Sequence, residues 1–150
     1  ATNPMVLIRT PKQAKRLPKA ISVEQIERLL AAPDDTDILG AVNVGVDSLL
    51  VLSGVTSVAD LLVASPEVRP TYLGWDAASL LEPQSGVVVE GSRVGLREWY
   101  VDKGRLMGVG DVLDAVRVAA VAVWRGLLTF DEAVLGLRTR GVAVGLPRDP

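Results

Sequence analysis

Val23, Ile26, Leu29 and Leu30 recur at helical spacing behind Ser22, which can cap a helix with Gln25 three residues later as its capping-box partner. Pro33 stops that helix. A second helix is predicted over Thr36 to Val44, capped by Asp35 or Thr36 and closed by Gly45. Ser48-Leu49-Leu50-Val51-Leu52 is then a continuous apolar run between Asp47 and Ser53-Gly54, the pattern of a strand covered on both faces in a parallel sheet. Ser57 can cap a helix over Val58 to Ala64, Pro70 precedes a second strand over Thr71 to Gly74, and Ala77 to Leu81 reads as a short helix. This alternation places residues 33–83 in the α/β class with parallel strands.

From residue 84 the period changes to two. Gly86 to Glu90 and Arg93 to Leu96 alternate, and Glu98 to Val101 and Arg105 to Val109 flank Asp102-Lys103-Gly104 as a β-hairpin. Asp111 can cap a helix over Val112 to Arg125, with Val112, Leu113, Val116, Ala119, Ala120, Val123 and Trp124 along one side and Gly126 at its end. Thr129 can cap another over Asp131 to Thr139, with Val134, Leu135 and Leu137 inward. Residues 84–150 thus read as a small α+β extension with a β-hairpin and two helices. Gly108-Val109-Gly110 reads as a turn and not a phosphate cradle, because Asp111 at the helix start would repel an anion. Trp75, Trp99 and Trp124 read as core or interface anchors, since no basic stripe accompanies them.

Composition narrows the chemistry. The chain is 49% hydrophobic and has no His and no Cys, which removes disulfides, thiol or imidazole catalysis and most transition-metal sites. Any chemistry must come from Asp, Glu, Lys, Arg, Tyr, Ser or Thr. The net charge of −2 is unevenly spread: residues 1–30 are basic, residues 33–90 are strongly acidic with Arg69 as their one cation, and residues 91–150 are slightly basic. Ser48 to Leu52 is too short to cross a bilayer, and Asp114 and Arg117 interrupt Val112 to Trp124, so no membrane association is expected. No secretory signal pattern is read, and a cytoplasmic location is expected.

Pro4, Pro11 and Pro18 stand seven residues apart with Lys and Arg between them, which reads as an extended basic linker. The string Asn3-Pro4, Thr10-Pro11-Lys12, Arg16-Leu17-Pro18-Lys19 and Ile21 to Leu30 resembles Xer-type tyrosine recombinases, where it joins the core-binding domain to the first catalytic helix. Residues 1–32 contain no catalytic position of that family, and with no His in the chain recombinase activity is not expected. Lys12, Lys15, Arg16 and Lys19 are the candidate nucleic-acid contacts, within residues 9–19, and would give weak, salt-sensitive DNA binding.

A second resemblance covers residues 35 to 82. Asp35-Thr36-Asp37-Ile38-Leu39-Gly40-Ala41 through Gly45, then Ser48 to Ser57, then Arg69-Pro70-Thr71-Tyr72 and Leu80-Leu81, resemble the final part of the haloacid dehalogenase (HAD) core. The similarity is to the phosphatase branch with NagD-like and glycerol 3-phosphate phosphatase enzymes. It implies a partial Rossmann-like parallel sheet in residues 33–83. Residues 84–150 resemble the small extension carried by some actinobacterial members. In the intact family Mg²⁺ is expected at an acidic motif, but Ala31-Ala32 stand where that motif has Gly-Asp, leaving only a residual Asp35 and Asp37. The nucleophilic Asp and its partners lie upstream of the matched stretch in that family. The resemblance therefore implies no catalytic residue, no metal site and no cofactor in this chain, with Asp35 and Asp37 serving the helix start. The expected function is a fragment or remnant of a HAD-like phosphatase, inactive alone, fused near Pro33-Asp34 to the recombinase-like segment. The alternatives are a piece that complements a missing half, or a DNA-binding or interaction fragment. Exposed strand edges are expected to favour self-association.

Overall fold

The computed structural model describes residues 35–52 and 56–146. The helix read after Ser22 and the basic residues Lys12, Lys15, Arg16 and Lys19 lie outside the described residues. Helix α1 spans Asp35–Val44. It ends as the sequence suggests: Gly45 takes φ +69°, its N–H donates to Val42 O at 3.2 Å, and Val46 N–H donates to Ala41 O at 3.0 Å. Ile38 is its buried contact, and the helix rests on the short 3-10 turn Pro66–Val68.

Strands β1 (Leu49–Val51) and β2 (Tyr72–Gly74) pair in parallel, Leu50 opposite Leu73, with helix α2 (Val58–Leu62) between them in sequence. The α/β class with a parallel sheet is therefore present as a β–α–β unit. The stretch Ala77–Leu81 is a 3-10 helix, started by the Asp76 carboxylate, which accepts from Ala78 N–H at 2.9 Å.

The second half exceeds the single hairpin expected. Strands β3 (Val88–Glu90), β4 (Arg93–Leu96), β5 (Trp99–Asp102) and β6 (Arg105–Met107) form a four-stranded antiparallel meander. Its last turn is the Lys103-Gly104 pair, both at positive φ as a tight right-twisted hairpin requires. Helix α3 (Val112–Trp124) packs on β4 and β5 on one side and on α2 and β2 on the other, so it is buried nearly all round. Helix α4 (Phe130–Arg138) carries the expected Thr129 cap, built as a capping box with Glu132.

One expectation is corrected. Leu135 is 66% exposed, and it is Ala133 and Leu137 that α4 buries, because the helix meets β6 and α3 along that narrower stripe. Trp75 is 43% exposed, whereas Trp99 is buried and Trp124 half-buried. One apolar cluster runs from Leu50, Leu62 and Leu73 through Trp99, Leu106 and Val116 to Leu137 and Val144. The tail returns to the first half to close it: Val144 O accepts from Ala59 N–H at 2.9 Å and Leu146 O accepts from Ser57 Oγ at 3.2 Å. No helix among the described residues is long and apolar enough to cross a membrane.

Candidate functional site

In open α/β sheets a ligand crevice forms beyond the carboxyl ends of the strands. Here that end carries a cavity of about 450 Å³ lined by Leu52, Thr56, Ser57, Trp75, Val112 and Val142 among others. Among the described residues no carboxylate lines it. Asp60 is engaged in the α2 cap, its Oδ2 accepting from Ser57 N–H at 2.8 Å and from Ser57 Oγ at 2.7 Å. Asp76 caps the next turn as described. Asp37 is exposed on α1, and Asp35 is the first residue of that helix. Among the described residues no three His, Cys, Asp or Glu groups come together as a metal site would require. Among the described residues the acidic donor set expected of the intact family's Mg²⁺ site is thus not assembled.

The opposite edge of the strand pair is polar in a different way. Tyr72 N–H donates to Ser48 O and Leu52 N–H to Gly74 O, so by the alternation of a parallel ladder the Leu73 carbonyl points away from β1. There it accepts from Arg117 Nη2. Arg117 also donates through Nη1 to Asp114 Oδ1 at 2.7 Å and through Nη2 to Gln84 Oε1 at 3.1 Å. Asp114, 1% exposed, accepts on its other oxygen from Arg97 Nη1 at 3.0 Å. Arg97 reaches it from the β4–β5 turn with φ +53°, a left-handed conformation unusual for a residue with a Cβ, and its other nitrogen donates to Ser85 Oγ at 3.0 Å.

Outside this network lies a groove of about 660 Å³ between β2, α3 and the segment entering β3. Arg69, Arg117 and Arg125 line it together with Tyr72, Val87 and Trp124, and among the described residues no carboxylate does. Arg69 stacks over Trp124 at 5.0 Å from the ring centroid and donates through Nε to Ala64 O. Trp124 is itself fixed by its Nε1–H donating to Leu61 O at 3.1 Å. Glu67 sits outside the groove; hydrogen bonds from Ser65 and from its own N–H, then the Arg69 charge, hold its carboxyl below the usual range.

The Gly108-Val109-Gly110 turn has a packing role. A Cβ on Gly108 would lie 2.2 Å from Glu98 O, and Asp111 caps α3 by accepting from Leu113 N–H at 2.9 Å.

Residues 24–80 match the family described as HAD-hydrolase-like, and the match begins inside the stretch read as recombinase-like. Over 103 residues the chain is 38% identical to D-glycerol 3-phosphate phosphatase of Mycobacterium tuberculosis, an alignment covering 60% of this chain and 28% of that relative's length. Two crystal structures of glycerol phosphate phosphatase from the same organism are also similar. The magnesium complex shows 37% identity over 59% of this chain and 27% of that chain, with a TM-score of 0.41. The calcium complex shows 31% identity over 76% and 37%, with a TM-score of 0.45. The segment spanning 24–80 is thus HAD-hydrolase-like in sequence, and its relative is a phosphatase.

Sequence reading missed the arginine groove. Asp114 and Arg117 registered there only as interruptions of an apolar helix. An Asp and an Arg three residues apart inside a helix otherwise made of Val, Leu, Ala and a terminal Trp are the signal that could have found them, because such a pair is tolerated in a core only when hydrogen-bonded.

Proposed function

We propose that this chain is a portion of a HAD-like phosphatase that supplies scaffold without chemistry and does not hydrolyse phosphate monoesters alone. The observation that carries this reading is the disposition of its carboxylates. Phosphoryl transfer through an aspartyl intermediate needs a nucleophile, an acid/base, a metal and a balancing cation at one point. Against that need, Asp60 and Asp76 are spent on capping, Asp37 is exposed, and Ala31-Ala32 stand where the family motif has Gly-Asp.

Similarity to D-glycerol 3-phosphate phosphatase makes glycerol 3-phosphate the substrate to try. The test measures inorganic phosphate released from it with Mg²⁺ by the purified chain, alone and mixed with the amino-terminal portion of that relative. The expected result is no release by the chain alone; release only in the mixture would give the scaffold a complementing role. Magnesium-dependent release by the chain alone that disappears in Asp35→Asn would overturn the proposal.

A further inference from the structure

We propose that the groove between β2, β3 and α3 binds a small molecule with an anionic head on an apolar body. It shares no lining residue with the cavity at the carboxyl ends of the strands, so this is a second site. Three guanidinium groups line it. The charge of Arg117 is neutralised from behind by Asp114, but among the described residues neither Arg69 nor Arg125 is in an ion pair. Arg69, whose charge also acts on Glu67 outside the groove, and Arg125 therefore present two guanidinium groups without a salt bridge on one concave surface that no carboxylate among the described residues lines.

Arg69 is held in place for this task. Its Nε donates to Ala64 O and its Cζ lies over the Trp124 ring, while its two Nη groups make no hydrogen bond among the described residues. A guanidinium fixed by one nitrogen and by stacking offers a preorganised fork to a phosphate or carboxylate. Below it Val87 and Val121 form an apolar wall. The volume is of the size that takes a small ligand with a few polar anchors. Charge and apolar surface together select an anion with a hydrocarbon body over a bare anion or a neutral one.

The experiment follows the three Trp indole N–H resonances of the full ¹⁵N-labelled chain during titration with hexyl phosphate, inorganic phosphate and hexanol. Hexyl phosphate is expected to shift Trp124 saturably, leave Trp99 unmoved, and bind about tenfold more tightly than either fragment. Arg125→Gln, at an exposed position whose side chain has no hydrogen-bond partner among the described residues, should weaken it about fivefold to tenfold without changing the fold. Arg69→Gln should do the same, with the Trp99 resonance reporting that the core is intact. The proposal fails if the shift does not saturate, if inorganic phosphate alone matches hexyl phosphate, if hexanol matches it, or if Arg125→Gln binds like the parent.

Discussion

The Asp114 carboxylate, 1% exposed, holds Arg117 at 2.7 Å and Arg97 at 3.0 Å, one arginine on each oxygen. The two bonds are not equivalent. Arg117 is 14% exposed and would be left buried without a counterion if Asp114 were neutralised, whereas Arg97 is 57% exposed and can turn to water. Asp114→Asn is therefore expected to destabilise by about 3 kcal/mol. Arg97→Gly should cost clearly less, since Asp114 keeps Arg117 as its partner and relief of the left-handed backbone returns about 1 kcal/mol. Urea unfolding of the two variants checks the ranking, and equal losses would refute it.

Glycine is required at Gly108 for a reason that does not hold at Gly126. Both have positive φ, +128° and +71°, but a Cβ at Gly108 would strike the Glu98 and Trp99 backbone, while one at Gly126 meets nothing within 4 Å. Gly126→Ala should cost about 1 kcal/mol from backbone strain alone. Gly108→Ala should cost more than about 3 kcal/mol, because two backbone segments must separate. Thermal unfolding monitored by near-ultraviolet circular dichroism distinguishes them, and similar melting temperatures would contradict the packing role.

Local signals made much of the fold legible in advance. The apolar run Ser48 to Leu52 contains β1, and Ser57, Asp111 and Thr129 cap the helices that follow them, because a cap and a period are written within a few neighbouring residues. What stayed hidden depends on distant partners. Leu135 has the right spacing for an inward face, yet how wide a stripe α4 buries is set by β6 and α3. The same holds for the site. Asp35 and Asp37 are readable as a contiguous motif, but Arg69, Arg117 and Arg125 come together only when β2 and α3 pack.

Acid should weaken the α4 cap. Hydrogen bonds from the Thr129 backbone N–H, then from its hydroxyl, hold the Glu132 carboxyl below its ordinary value. A carboxyl with a depressed folded-state value contributes stability above its unfolded value near about 4.3, and that contribution is lost as pH falls through the folded value. Glu132→Gln should therefore be less stable than the parent at neutral pH, and the gap should close below about pH 4. Paired urea midpoints at the two pH values decide it; a gap independent of pH would mean the carboxylate charge is not involved.

Lys12, Lys15, Arg16 and Lys19 carry the proposal of DNA contact, and the size of its salt dependence follows from their number. Four cations reaching four phosphates of duplex DNA give a slope of about −3.6 in log affinity against log salt. Fluorescence anisotropy with a labelled random duplex should return a slope between about −2 and −4 and no sequence preference. A salt-independent isotherm would remove phosphate contact as the mode of binding, and Lys12→Ala should flatten the slope by about 0.9.

The strand pair has one edge closed and one open. Arg117 occupies the outward Leu73 carbonyl of β2, whereas Leu49 and Val51 turn their N–H and C=O groups away from β2, and among the described residues no third strand pairs with β1. Unpaired strand edges template association. We expect the chain to self-associate through β1, with a sedimentation coefficient that rises with protein concentration. Leu49→Pro removes one outward N–H without touching the β1–β2 ladder, whose donors and acceptors on β1 come from Ser48, Leu50 and Leu52. That variant should sediment as a monomer at every concentration while unfolding as cooperatively as the parent. If it associates as strongly as the parent, the contact lies elsewhere, and Leu80 and Leu81 become the surface to change next, because at 67% and 90% they are more exposed than Trp75, the other large apolar side chain beside β2.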